Sequence, residues 1–116
     1  MKHNLKKIHA FFFQTADGRE PVREWLKELP KADRKEIGED IATVEYGWPV
    51  GMPVCRPLGG GIWEVRSSLP SRRIARVLFG MHKGFMVLLH GFIKKTQKTP
   101  PEDLALARKR MKEVLL

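Results

Sequence analysis

Glu64, Arg66 and Arg76 lie in two short apolar segments, IWEVRS (62–67) and RRIARVLF (72–79), and their spacing bears on what they can do together. If both segments are strands, side chains of like parity share a face. Trp63 with Val65, and Ala75 with Val77 and Phe79, then form apolar faces, while Glu64, Arg66 and Arg76 stand opposite them. On the next apolar run, FMVLLHGFI (85–93), His90 has the parity of Lys94, and KKTQK (94–98) prolongs that run. The predicted result is a concave basic surface rimmed by Lys95 and Lys98. Guanidinium groups hold a phosphate through two parallel hydrogen bonds, and a lysine adds a point charge where a phosphorane develops negative charge. The smallest chemistry such a surface supports is attack of a ribose 2′-OH on the adjacent phosphate, for which no metal is required. Proximity and electrostatic stabilisation supply much of the rate, and a positioned base and acid supply the rest. Histidine is the side chain that titrates nearest neutrality, which makes His90 a candidate base. A lysine crowded by cations is shifted down and is a second kind of candidate. The same residues also fit structural roles. His90 in an apolar strand suits a hydrogen-bonded core position, and Glu64 with Arg66 suits a sheet-surface ion pair worth under about 1 kcal/mol.

The charge distribution agrees with a binding surface. The formal net charge is +9 over 116 residues, a sign that suits nucleic acid, an anionic membrane surface or an acidic protein. Residues 1–58 hold 10 Lys and Arg against 9 Asp and Glu, whereas residues 59–116 hold 12 against 4. Solubility needs only modest charge with the signs mixed, so so one-sided a half-chain reads as a surface for an anion. The length and 42% hydrophobic content suit one domain, 1–116, with one real core. No apolar run reaches the roughly 20 residues of a membrane-spanning helix, and the basic 1–9 stretch is not followed by a signal-peptide core, so a cytoplasmic protein with no membrane partner is expected. A single cysteine, Cys55, excludes an internal disulfide, and four scattered histidines give no zinc-type spacing. No cofactor or structural metal is expected.

The elements that would position these groups follow from pattern. KKIHAFFF (6–13) has β-propensity and runs into the turn signal TADG (15–18). Pro21 suits the first turn of a helix, with Val22, Trp25, Leu26 and Leu29 on its buried face, ending before Pro30. From Lys31, the spacing of Ile37, Ile41 and Val44 predicts a second helix that ends at Gly47 and stacks on the first as a hairpin. VGMPVCRPLGGG (50–61) has too many Pro and Gly residues for regular structure and reads as a loop. Three strands follow in a meander, the last of them apolar enough to be covered on both sides. TPPE (99–102) resembles a capping box, and Leu104, Ala107, Met111 and Val114 form a helical stripe. The predicted class is α+β, in the order β-α-α-β-β-β-α, with a mostly antiparallel sheet packed against a helical hairpin and a C-terminal helix.

Other features read as structural. Gly59 to Gly61 lack the spacing and following helix of a phosphate loop. Trp25 and Trp63 read as core anchors, while Trp48 and Tyr46 suit either a packed helix end or a partner patch. Cys55 is a nucleophile only beside a base. Arg108, Lys109, Arg110 and Lys112 form either the solvated face of the last helix or a grip on an rRNA backbone.

Together, GIWEVR (61–66), RIARVLF (73–79), VLLHGFIKKTQKTP (87–100) and ARKR (107–110) resemble the phage-derived branch of the RelE/HigB toxin family, over most of the chain from Lys6 onward. The resemblance implies a RelE-like fold and the toxin of a type II toxin-antitoxin system. It also implies metal-independent, ribosome-dependent endonucleolytic cleavage of mRNA, an mRNA interferase that inhibits translation. The implied partners are a cognate antitoxin, expected to be of helix-turn-helix type, mRNA on the ribosome, and rRNA. Carried over by position, Arg76 contacts the scissile phosphate, Arg66 is a phosphate or structural contact, and Lys94 and Lys95 stabilise charge. Arg73, Lys94, Lys98, Arg108, Lys109 and Lys112 are the expected RNA contacts. Some relatives use a C-terminal Tyr or His as general base, and neither follows His90 here, so His90, Lys95 or Lys98 stands in. Two other readings compete. A ParE-type toxin shares the fold and inhibits gyrase by protein binding, and a non-catalytic RNA-binding module needs the basic surface alone. Charge concentrated on strands favours RNA, because gyrase binding does not require a concave phosphate-gripping sheet.

Overall fold

The computed structural model describes residues 5–115, so the first four residues of the basic N-terminal stretch lie outside it. The order is β1 (His9–Phe12), α1 (Pro21–Lys27), α2 (Lys31–Gly47), β2 (Cys55–Gly59), β3 (Ile62–Ser68), β4 (Ile74–His82), β5 (Phe85–Ile93) and α3 (Pro101–Leu115). The five strands form one sheet in the order β1-β5-β4-β3-β2, antiparallel throughout except that β1 runs parallel to β5. The α+β class, the mostly antiparallel sheet and its three packed helices are as the patterning implied.

The expected order lacked one element. The segment 50–61, read as a loop, contains the edge strand β2, which pairs antiparallel with β3. Pro57 is tolerated because β2 is an edge strand, where a residue without an N–H costs no ladder bond on the open side. Gly59, Gly60 and Gly61 make the turn of the β2–β3 hairpin, all three with positive φ (91°, 62° and 82°), a region that glycine enters without steric cost. The two predicted helices also pack chiefly on the sheet rather than on each other, α1 over β5 and α2 over β3.

The sheet is covered on both faces. On one side, Ile37, Ile41 and Val44 of α2 and Val22 of α1 bury Val65, Val77, Phe79, Met86 and Leu88. Trp63 and Phe79 stack with centroids 6.0 Å apart, and Trp48 meets both rings edge-on, so Trp48 is a packed helix end. On the other side, Leu104, Ala107, Met111 and Val114 of α3 cover Ile62, Leu78, Val87 and Leu89. Two buried carboxylates pin α2: Asp33 accepts from the Ser71 N–H and pairs with Arg73, and Glu45 accepts from the Ala10 N–H and Lys6. Among the described residues no helix is long and apolar enough to cross a membrane.

A bulge in β5 bears directly on the site. Leu78 pairs with His90 but Phe79 pairs with Leu88, leaving Leu89 as the extra residue. Leu88 and Leu89 still alternate between the opposite cores, but the extra residue then breaks the alternation: His90 stays on the side of Leu89, so that His90, Phe92 and Lys94 fall on the α3 face.

Candidate functional site

Register places the charged groups. Glu64 lies opposite Arg56 of β2 and Leu78 of β4, and Arg66 lies opposite Arg76, which in turn lies opposite Phe92. Arg56, Glu64, Arg66 and Arg76 therefore share the α3 face of the sheet, at the end that α3 leaves open. Lys94 continues the β5 ladder by donating its N–H to the Ile74 carbonyl at 2.7 Å.

Glu64 is the centre of the arrangement, 1% exposed. Its Oε2 accepts from Arg56 Nε at 2.7 Å, and its Oε1 accepts from Thr99 Oγ1 at 3.3 Å. Arg76 Nε stands 3.2 Å from the same Oε1, within ion-pair range but off the line of a hydrogen bond. Arg76 also donates to the Gln97 carbonyl at 2.9 Å and to Thr99 Oγ1 at 3.4 Å. The segment between β5 and α3 is thus tied down over Arg76, which keeps 3% of its surface.

Arg56, Glu64, Arg66, Arg76, Lys94 and Gln97 line a polar hollow of about 70 Å³. A water occupies about 30 Å³ in the liquid, so the hollow has room for one small anionic group and none for a base. Four cations against one carboxylate leave it electropositive. Among the described residues, the buried Nε atoms of Arg66 and Arg76 have no hydrogen-bond partner, and buried donors of this kind are ordinarily satisfied. Desolvation holds the Arg76 guanidinium below the ordinary arginine range, against the opposing pull of Glu64. Desolvation first, and then the charges of Arg66, Arg76 and Arg56, hold the Lys94 ammonium below the ordinary lysine range. Such an ammonium gives up a proton more readily than a free lysine.

The structure brings together Arg66, Arg76 and Lys94 of the predicted set. Lys95 is turned to an adjoining hollow of about 440 Å³, shared with Lys94, Arg72 and Arg73; Arg73 is held there by Asp33 at 3.3 Å. His90 does not line the small hollow. Its Nε2 lies 2.6 Å from Asp103 Oδ1 and its ring stacks on Phe92, so it ties β5 to the first turn of α3. Lys98 is exposed on the connecting segment, and Lys109 and Lys112 are exposed on the outer side of α3. Arg108 lies over Gly60, where an added Cβ would clash with its guanidinium, and Arg110 donates to the Leu89 carbonyl. Cys55 is buried, its thiol pushed up to about 11 by desolvation and by Glu64, which removes it as a nucleophile at neutral pH. Among the described residues no three His, Cys, Asp or Glu side chains are grouped to hold a metal ion.

Sequence reasoning missed Arg56. The available signal was the glycine triplet two residues after Pro57: a tight turn leading into a strand calls for a partner strand before it. A far larger hollow, about 1090 Å³, lies along β1 and is walled by groups such as Phe11, Leu26 and Ile41. It contains none of the predicted site residues.

The sequence profile described as phage-derived protein Gp49-like (DUF891) matches residues 24–112, well over half of the chain and all of the strands that build the basic hollow. No curated protein matches the chain.

Proposed function

From the premise that the chain belongs to the Gp49-like phage-derived family, a RelE/toxin-like family, we propose that it is a HigB-like toxin of a type II toxin-antitoxin system that cleaves mRNA on the ribosome. The observation that carries the reading is the convergence of Arg56, Arg66, Arg76 and Lys94, from four separate segments, on one hollow of phosphate size.

The step is attack of a ribose 2′-hydroxyl on the adjacent phosphorus, its proton passing to water at the open mouth of the site, with loss of the 5′-oxygen, leaving a 2′,3′-cyclic phosphate and a 5′-hydroxyl. Arg66 and Arg56 grip the non-bridging oxygens, since both line the hollow and are only half-buried. Arg76, buried beneath Gln97 and Thr99, supplies charge from the floor and holds the wall in place, a role closer to a strut than to the direct phosphate contact expected of it. Lys94, with its lowered proton affinity, is the group on the wall suited to pass a proton to the leaving oxygen. Desolvated cations placed where negative charge develops account for the rate. A cognate antitoxin of helix-turn-helix type, rRNA contacts through Lys98, Lys109 and Lys112, and a cytoplasmic location complete the proposal.

The test is primer extension on cellular mRNA after brief induction. New 5′ ends phased with codons inside translated frames are expected, and Arg66→Gln should erase them in a protein that stays folded. DNA-damage signalling with intact mRNA would reject the reading in favour of gyrase inhibition.

A further inference from the structure

β1 accompanies β5 only as far as Leu88, where Phe12 is its register partner and the Phe13 N–H donates to the Leu88 carbonyl. Beyond that point the outer edge of β5 faces no strand among the described residues. A cleft of about 400 Å³ occupies this edge, with Trp25 of α1 on one side, Glu102 and Asp103 of α3 on the other, and Phe92 and Lys95 between them. The Trp25 ring lies directly over Gly91, so close that a Cβ there would clash with it. Phe92 is backed by the His90 ring at 5.5 Å.

The cleft is linked to the phosphate hollow through the walls of the basic hollow between them. Lys94 and Gln97 line both the small hollow and the basic one beside it, and Lys95 lines both that basic hollow and the cleft. Phe92 is also the cross-strand partner of Arg76. This chain of shared walls is the ground for seating one nucleotide with its phosphate in the hollow and its base in the cleft.

We infer that this cleft is a nucleobase site selective for bases that carry an exocyclic amino group. The inference rests on the RNA-cleaving reading and names the nucleotide that reading leaves open. Aromatic walls accept the ring face of any base. The edge chemistry discriminates: carboxylates accept from an exocyclic amino group, and an ammonium donates to ring nitrogens or carbonyls. Asp103 offers Oδ2, since its Oδ1 is engaged by His90, and Glu102 is exposed beside it. Adenine, cytosine and guanine bring an exocyclic amino group to these acceptors, whereas uracil has only its N3–H, flanked by two carbonyl oxygens that a carboxylate repels.

The experiment titrates the purified full-length chain with each of the four nucleoside 3′-monophosphates, and separately with inorganic phosphate, followed by NMR shifts. The adenine, cytosine and guanine nucleotides should bind about tenfold more tightly than the uridine nucleotide, and Glu102→Leu, a surface change that removes this acceptor and leaves Asp103, should clearly reduce that preference. Lys95→Gln should weaken all four nucleotides. Equal binding of the four, or a preference untouched by Glu102→Leu, overturns the inference. Inorganic phosphate reports the neighbouring hollow in each protein. If induced cells show no mRNA cleavage while the preference and its reduction in Glu102→Leu are observed, the nuclease reading falls and the base site stands. If mRNA is cut without regard to the base seated here, the base site falls and the nuclease reading stands.

Discussion

Removing the Glu64 carboxylate should destabilise the protein far more than an ordinary surface change, and the structure supplies the magnitude. Glu64→Ala leaves Arg76, 3% exposed, as a buried charge whose remaining partners are the Gln97 carbonyl and the Thr99 hydroxyl. Breaking a buried ion pair from one side costs about 3–5 kcal/mol. The second pair, with the partly exposed Arg56, adds no more than about 1 kcal/mol. For a domain whose whole stability is about 5–15 kcal/mol, and with roughly 4 °C of Tm per kcal/mol at this size, the expected fall in Tm is about 12–24 °C. The diagnostic lies in the double variant. Replacing both partners of a buried pair by apolar side chains of similar volume is often close to neutral, so Glu64→Met with Arg76→Met should cost clearly less than the two single changes summed, by roughly 1–3 kcal/mol of coupling. Urea and thermal unfolding of the four proteins measure this, and Glu64→Gln, which keeps shape and an acceptor, gives a folded intermediate case. Additive single costs, or a Glu64→Ala cost below about 1 kcal/mol, would refute the reasoning that this carboxylate organises the basic hollow.

Arg56→Gln should lower inorganic phosphate affinity about 10- to 100-fold, the loss of a charge-assisted hydrogen bond, with little change in Tm because its ion pair is partly exposed; calorimetric titration and a melt measure the two, and unchanged affinity would remove Arg56 from the site. Gly91→Ala drives a Cβ into the Trp25 ring and should cost about 1–3 kcal/mol through overpacking, measurable by urea unfolding. Cys55, with its thiol pushed up to about 11, should react with Ellman's reagent slowly in the native protein and quickly in urea; fast native labelling would contradict its burial. Asp33 is held below the ordinary carboxylate range by the Ser71 hydrogen bonds and then by Arg73. A lowered folded-state value means that its contribution is present above the unfolded value, about 3.9, and is lost as pH falls through the folded one. Asp33→Asn should therefore flatten the acid limb of a stability-against-pH curve, and an unchanged limb would count against the Asp33–Ser71 contact.

How much was legible in the chain varies by element. The second helix was read at 31–47 and the last strand at 85–93, as found, because long helical periodicity and a continuous apolar run are strong local signals. The parity that opposed Glu64, Arg66 and Arg76 to Trp63, Val65 and Val77 also held. β2 was not legible because an edge strand needs neither β-branched residues nor an N–H at every position, so CRPLG carries little of the pattern of a buried strand. The distribution of roles was not legible either: parity puts Arg76 on the basic face, but nothing local says that Gln97 and Thr99 fold over it.

The sequence alone determined composition, charge asymmetry, the apolar periods of the helices and the alternation within each strand, because these depend on residues a few positions apart. Tertiary structure alone decided that Leu89 is a bulge, which sets His90, Phe92 and Lys94 on the basic face, and that Arg56 stands beside Glu64 while His90 is held by Asp103. Those outcomes depend on strand register and on chain segments far apart in sequence, which meet only when two cores pack on opposite faces of one sheet.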